Sequence, residues 1–145
     1  MKKLIYIFIL AFLGCSSNTS LIKLKIEKEV GHTVKNGIIV LISENNCISC
    51  FKDNLYTWID YADTTNLKIT SLFFSGKEFP VEFKRLMSET NRYITWKNTK
   101  SLDIFEFLSK TIDQKSPFII LIKNNDVEYL NHLVPVEYYI NIEKK

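Results

Sequence analysis

Residues Leu21 to Glu27 alternate, with Ile22, Leu24 and Ile26 set against Lys23, Lys25 and Glu27. A period of two predicts a half-buried strand. A turn region runs from Gly31 to Gly37. Gly37 opens Ile38-Ile39-Val40-Leu41-Ile42, a short β-branched run bounded by polar residues. Such a run predicts a strand buried on both faces. From Cys50 the pattern changes. Phe51, Leu55, Trp58 and Ile59 fall at i, i+4, i+7 and i+8, the stripe of an amphipathic helix. Leu67 to Phe74 predicts another strand, ended by Ser75-Gly76. Pro80 stands where a helix starts, and Phe79, Phe83, Leu86 and Met87 form its apolar stripe. Arg92 to Lys97 predicts a short strand with Ile94 and Trp96 on one side. Ser101 is placed to cap a helix from Leu102 to about Thr111, with Ile104, Phe105 and Leu108 inward. Pro117 precedes Phe118-Ile119-Ile120-Leu121-Ile122, a second strand buried on both faces. Asn124-Asn125-Asp126 is a turn, and Val127 to Leu130 returns as an edge strand. Val134 to Lys145 is ambiguous between the two periods. Strands alternating with helices predict an α/β layered sheet.

The first twenty residues follow another logic. Lys2 and Lys3 precede an unbroken apolar run from Leu4 to Leu13, then Gly14-Cys15 and the polar Ser16-Ser17-Asn18-Thr19-Ser20. The run is too short for a bilayer core, which needs roughly 20 residues, and has the length of a signal-peptide core. Phe12-Leu13-Gly14-Cys15 resembles the end of a bacterial lipoprotein signal, with a small residue before the cysteine. Phe12 departs from the Leu usual at that position. An ordinary secretory signal and an uncleaved anchor are the alternatives. The resemblance implies cleavage before Cys15 and acylation of Cys15, which would hold the chain on a membrane. The expected organisation is residues 1–14 as signal peptide, 15–20 as lipid-anchored tether and 21–145 as one domain. The expected location is the bacterial cell envelope, facing the periplasm, because no acid follows Cys15 in the tether.

Composition narrows the classes. The 145 residues suit one domain, and 46% hydrophobic residues are enough for a buried core. The net charge is +3. Removing the first fourteen residues takes away Lys2 and Lys3 and leaves +1. That balance gives no reason to expect a nucleic-acid partner.

Chemistry concentrates in Glu44-Asn45-Asn46-Cys47-Ile48-Ser49-Cys50. With Cys15 assigned to lipid, Cys47 and Cys50 form an even pair in an exported, oxidising setting. The pair follows a buried strand and opens a helix. Cys47 therefore lands at or just before the helix N-terminus, where unpaired N–H groups and the helix dipole favour an anion. A Cys47 thiolate is expected there, its pKa below the ordinary ~8.5. Thiolates attack disulfides. Cys50 would then be the resolving thiol, with Ile48 and Ser49 between them influencing the redox potential.

Strand, Cys-x-x-Cys and helix in this order resemble the thioredoxin-like proteins. Ser116-Pro117 followed by the run to Ile122 and a polar turn resembles the family's segment in which a proline precedes a buried strand. The resemblance implies a cis bond before Pro117, and a substrate groove formed by Pro117, Ser116, Ile48 and Ser49. It implies a thioredoxin-like fold: a central mixed β-sheet flanked by helices, in a single domain. The longer stretch between Cys50 and Pro117 resembles the insertion of the TlpA-type and peroxiredoxin-related branch, whose members are often membrane-tethered. The function implied is a tethered thiol–disulfide oxidoreductase. Its partners would be protein thiols and disulfides and an upstream redox partner. No cofactor, no metal and a monomer are expected.

The sequence also departs from that family. Asn46 stands where many members have Trp, and Ile48-Ser49 replaces Gly-Pro. The acid of the preceding strand falls near Leu41, leaving Glu44 either as proton acceptor or as a solvated loop acid. A redox-inactive docking lipoprotein with a structural disulfide therefore stands as the alternative. A metal module would have only His32 and His132 beside the pair, short of a closed zinc site. A peroxidase would want Thr and Arg near its cysteine, and the chain has only Arg85 and Arg92.

Overall fold

A computed structural model describes residues 18–76 and 80–144. Cys15 and Phe79 lie outside the described residues. The elements are helix α1 (residues 18–30), then β1 (Gly37–Ser43), α2 (Ile48–Thr65), β2 (Ile69–Phe74), α3 (Val81–Thr90), β3 (Ile94–Thr99), α4 (Asp103–Ile112), β4 (Phe118–Lys123), β5 (Asp126–His132) and α5 (Val136–Glu143). The strands form one five-stranded sheet in the order β3-β2-β1-β4-β5. β1 pairs parallel with β2, and β2 parallel with β3. β4 runs antiparallel to both β1 and β5.

β1 and β4 are buried along nearly their whole length, as their unbroken apolar runs predicted. Side chains alternate across the sheet. Ile38, Val40 and Ile42 meet α2, α3 and α5 on one face. Ile39 and Leu41 meet α1 and α4 on the other. Gly37 suits the close approach at the entry to β1, because a Cβ there would lie 3.1 Å from the Lys68 carbonyl, a tight contact.

The strand expected over Leu21 to Glu27 is instead part of α1. Its pattern satisfies both periods. Ile22 and Ile26 are two strand steps apart and also one helical turn apart, and Val30 continues the helical series. All three are buried against α4 and the sheet. Leu24 decides between the periods: a strand would bury it, and it is 66% exposed. Lys23 and Glu27 pair at i, i+4 across 3.0 Å, a spacing only a helix provides. The helix already includes residues 18–20, within the segment expected as a tether. Gly31 ends it at φ +82°, a left-handed conformation natural to glycine.

The ambiguous C-terminal stretch forms α5, held from α2. The Thr57 hydroxyl accepts the Val136 N–H at 3.0 Å, satisfying a helix-start donor that has no intrahelical partner. Trp58, 0% exposed, donates its indole N–H to the Val134 carbonyl at 2.7 Å. Its ring lies against Tyr61, Tyr129 and Tyr139. The Tyr139 hydroxyl is met by Glu128, Glu143 and Lys123. Burial and these carboxylate contacts push the phenol far above its ordinary range, so it stays protonated.

Glu27 anchors the turn after α1. Its carboxylate accepts the Val34 backbone N–H at 2.9 Å and pairs with Lys23. The Val34 bond, then Lys23, lowers its pKa below the ordinary 4.5 despite some desolvation. A depressed carboxylate pKa adds stability above the ordinary value, and that stability is lost as pH falls through the folded value. Glu27→Gln should therefore be less stable than wild type near neutral pH, with the gap narrowing below about pH 4. Urea unfolding of both chains across pH measures it; a gap independent of pH would refute the assignment.

Candidate active site

The end of β1 delivers the chain to the site. β1 runs to Ser43, the loop turns through Glu44 to Asn46, and α2 begins at Ile48 with Cys47 as its N-cap. Cys47 has extended backbone angles, and its carbonyl accepts the Cys50 N–H at 3.0 Å. The cysteines form a disulfide with Cα atoms 5.2 Å apart. Both are exposed. Ser49 lies with its hydroxyl 3.2 Å from Cys47 Sγ. A disulfide sulfur carries no proton, so Ser49 is the donor.

The Ser116–Pro117 bond is cis. Pro117 and Ser116 line a cleft of about 680 Å³ together with Cys47 and Cys50. Its far walls come from Phe105, Glu106 and Ser109 of α4, Lys115, and His132 at the end of β5. Of the candidate redox and groove residues, Cys47, Cys50, Ser116 and Pro117 meet at this cleft. Ile48 turns back to pack on the core around α2, and neither it nor Ser49 lines the cleft. Cys15 lies outside the described residues.

Several participants were invisible in sequence. His132, named above only as a possible metal ligand, closes β5 opposite Phe118, and its Nδ1 lies 2.9 Å from the Lys115 carbonyl. A carbonyl only accepts, so Nδ1 carries the proton. Asn46, noted only as a departure, is bonded to both sides of the site. Its Oδ1 accepts the Ser43 N–H at 2.7 Å, and its Nδ2 donates to the Ser116 carbonyl at 2.8 Å. Phe105 and Glu106 were placed on a helix, yet nothing in their spacing tied α4 to the cysteines.

Glu44 has a defined place. One carboxylate oxygen accepts the Ser75 hydroxyl at 2.8 Å and the Gly76 N–H at 3.2 Å. It ties the ends of β1 and β2 and does not line the cleft. The solvated-acid reading thus gives way to a structural one. Glu44→Gln should leave the pH dependence of cysteine alkylation unchanged and cost on the order of 1 kcal/mol of stability, as a weakened charged hydrogen bond does. A displaced alkylation profile would restore Glu44 as proton acceptor.

No protein-family model matches the sequence, and no curated protein matches it. Solved structures do. The thioredoxin domain of a thiol-disulfide oxidoreductase from Bacteroides vulgatus aligns over 76% of this chain and 78% of its own, with TM-score 0.51 and 20% identity. A candidate thioredoxin from Neisseria meningitidis aligns over 76% and 73%, with TM-score 0.52 and 11% identity. Reduced Prx3 from Vibrio vulnificus aligns over 77% and 82%, with TM-score 0.50 and 14% identity. The fold is thioredoxin-like, a mixed sheet flanked by helices in a single domain.

Proposed function

We propose that the chain is a thiol–disulfide oxidoreductase, tethered by lipid at Cys15 and acting on protein substrates outside the cytoplasm. One observation carries the chemistry: an exposed Cys47–Cys50 disulfide at the start of α2 shares an open cleft with the cis Ser116–Pro117 segment. A disulfide kept only as a structural clip has no need of that cleft.

In the reducing direction, the Cys47 thiolate attacks one sulfur of a substrate disulfide. The substrate S–S bond breaks, one substrate thiolate leaves, and a mixed disulfide forms on Cys47. The Cys50 thiolate then attacks Cys47 Sγ, releasing the second substrate sulfur and closing the Cys47–Cys50 bond. Two electrons pass to the substrate, and an upstream dithiol partner restores the pair. The reverse sequence oxidises a substrate dithiol. The helix N-terminus favours the Cys47 anion, and Ser116 and Pro117 offer the edge on which a substrate chain docks. The chain's two arginines support exchange over peroxide reduction. Arg85 pairs with Glu89 at 3.0 Å and Arg92 lies over Tyr93; neither lines the cleft.

Two outcomes test this reading. Equilibrated with thiol buffers, the pair should show a potential between roughly −270 and −120 mV, the span of exchange proteins, and Cys47→Ala should abolish exchange. A potential below about −300 mV is typical of structural disulfides and would favour the redox-inactive docking protein. The anchor is tested separately: cells fed labelled palmitate should label the chain, and Cys15→Ser should abolish the label. Equal labelling of both would refute acylation at Cys15.

A further inference from the structure

The β1–β4 ladder stops short of the site. β1 stays paired with β2 as far as Ser43↔Phe74, but its pairing with β4 ends at Leu41↔Phe118. One step on, Ile42 would face Pro117, which has no N–H to give. Two steps on, Ser43 would face Ser116. There the backbones do not bond directly. The Asn46 carboxamide lies between them, accepting the Ser43 N–H through Oδ1 at 2.7 Å and donating through Nδ2 to the Ser116 carbonyl at 2.8 Å. Nδ2 also lies 3.2 Å from Ser116 Oγ, and the two serine hydroxyls are 3.2 Å apart. An amide side chain thus takes the place of a peptide group in the ladder.

We propose that Asn46 is a positioning residue for substrate docking, a wedge that holds the β1–β4 ladder open and aims the Ser116 carbonyl. This rests on the oxidoreductase reading. Asn46 adjoins Cys47 in the chain, so its bonds to Ser116 set the height of the Ser116–Pro117 edge relative to the attacking sulfur. A carbonyl has two lone pairs. Ser116 therefore accepts from Asn46 and still presents a lone pair to the backbone N–H of a chain lying along the cleft. The neighbouring carbonyls are held too: Lys115 by His132 and Pro117 by the Leu133 N–H at 2.8 Å. The docking edge is built before substrate arrives, which lowers the ordering cost of binding.

The experiment compares two disulfides on the intact chain: insulin, which has backbone to dock, and 2-hydroxyethyl disulfide, which has none. Asn46→Ala should lower kcat/KM for insulin about tenfold, mostly through KM, as expected for the loss of one or two hydrogen bonds. The rate with 2-hydroxyethyl disulfide should stay within about twofold and the reduction potential should not move, since neither depends on a docked chain. Asn46→Asp keeps the acceptor for Ser43 and loses the donor to Ser116. Its added charge acts on both substrates, so the ratio of the two rates should fall as it does for Ala. Equal losses on both substrates, or no loss on either, would overturn the proposal. In wild type the Ser43 amide should exchange slowly with solvent deuterium; an unprotected amide would overturn the wedge without any variant. Wild type inactive on both disulfides, with a protected Ser43 amide, would defeat the oxidoreductase reading and leave the wedge as a structural feature.

Discussion

Burial of β1 on both faces is the constraint from which the rest follows. The strand is flanked by β2 and β4 and covered by helices above and below. Every backbone N–H and C=O in such a strand needs a partner, because no water reaches it. The two flanking ladders meet that need and so fix the register of the sheet's centre. The ladder on the β4 side ends first, because the chain there reaches Pro117. The pocket beside the disulfide lies where the pairing of the two central apolar strands is interrupted.

α2 converts the constraint into a site. Its first residues carry the cysteines, while its apolar stripe of Phe51, Leu55, Trp58, Ile59 and Ala62 is sealed onto the sheet. One and two turns below Cys50, Asn54, Thr57 and Trp58 bond to Leu133, Val136 and Val134. Those residues follow His132, which forms part of the cleft's far wall. The helix that presents the disulfide therefore also holds the opposite wall. Movement between them would break three part-buried hydrogen bonds.

The parts legible in sequence were those whose signal is local. The runs of β1 and β4, the stripe of α2 and the spacing of the cysteines each state their own environment within a few residues. α1 differs from the expected strand because Ile22 and Ile26 satisfy both periods; the exposed Leu24 and the Lys23–Glu27 pair separate them. The rest of the site is long-range. Asn46 and Ser116 are 70 residues apart, and His132 and Lys115 meet across 17. A polar residue in a loop looks alike whether it faces water or bridges two backbones; only the tertiary fold chooses. Glu44 shows the same limit, since its partners Ser75 and Gly76 close the next strand along. α5 was ambiguous because its hold comes largely from outside, through Thr57 and the ring cluster around Trp58.

The disulfide closes only a very short loop, and that bears on what it is for. A cross-link stabilises a fold mainly by removing freedom from the unfolded chain, and the effect grows with the loop it closes. Cys47 and Cys50 are separated by 3 in sequence. In the loop-entropy model, so small a ring is worth about 2 kcal/mol, against ~4.7 for a 100-residue loop. The fold instead rests on two apolar layers that meet across β1 and β4, and on hydrogen bonds from α2 to the far wall. None of these passes through a sulfur. Reduction by a dithiol partner would replace one covalent contact at an exposed helix start with two thiols, in a place that favours the Cys47 anion. The framework on either side remains held by other contacts. A pair that closes so short a loop, beside the Ser116–Pro117 edge, suits the proposed exchange, in which the bond would open and close while the molecule around it stays still.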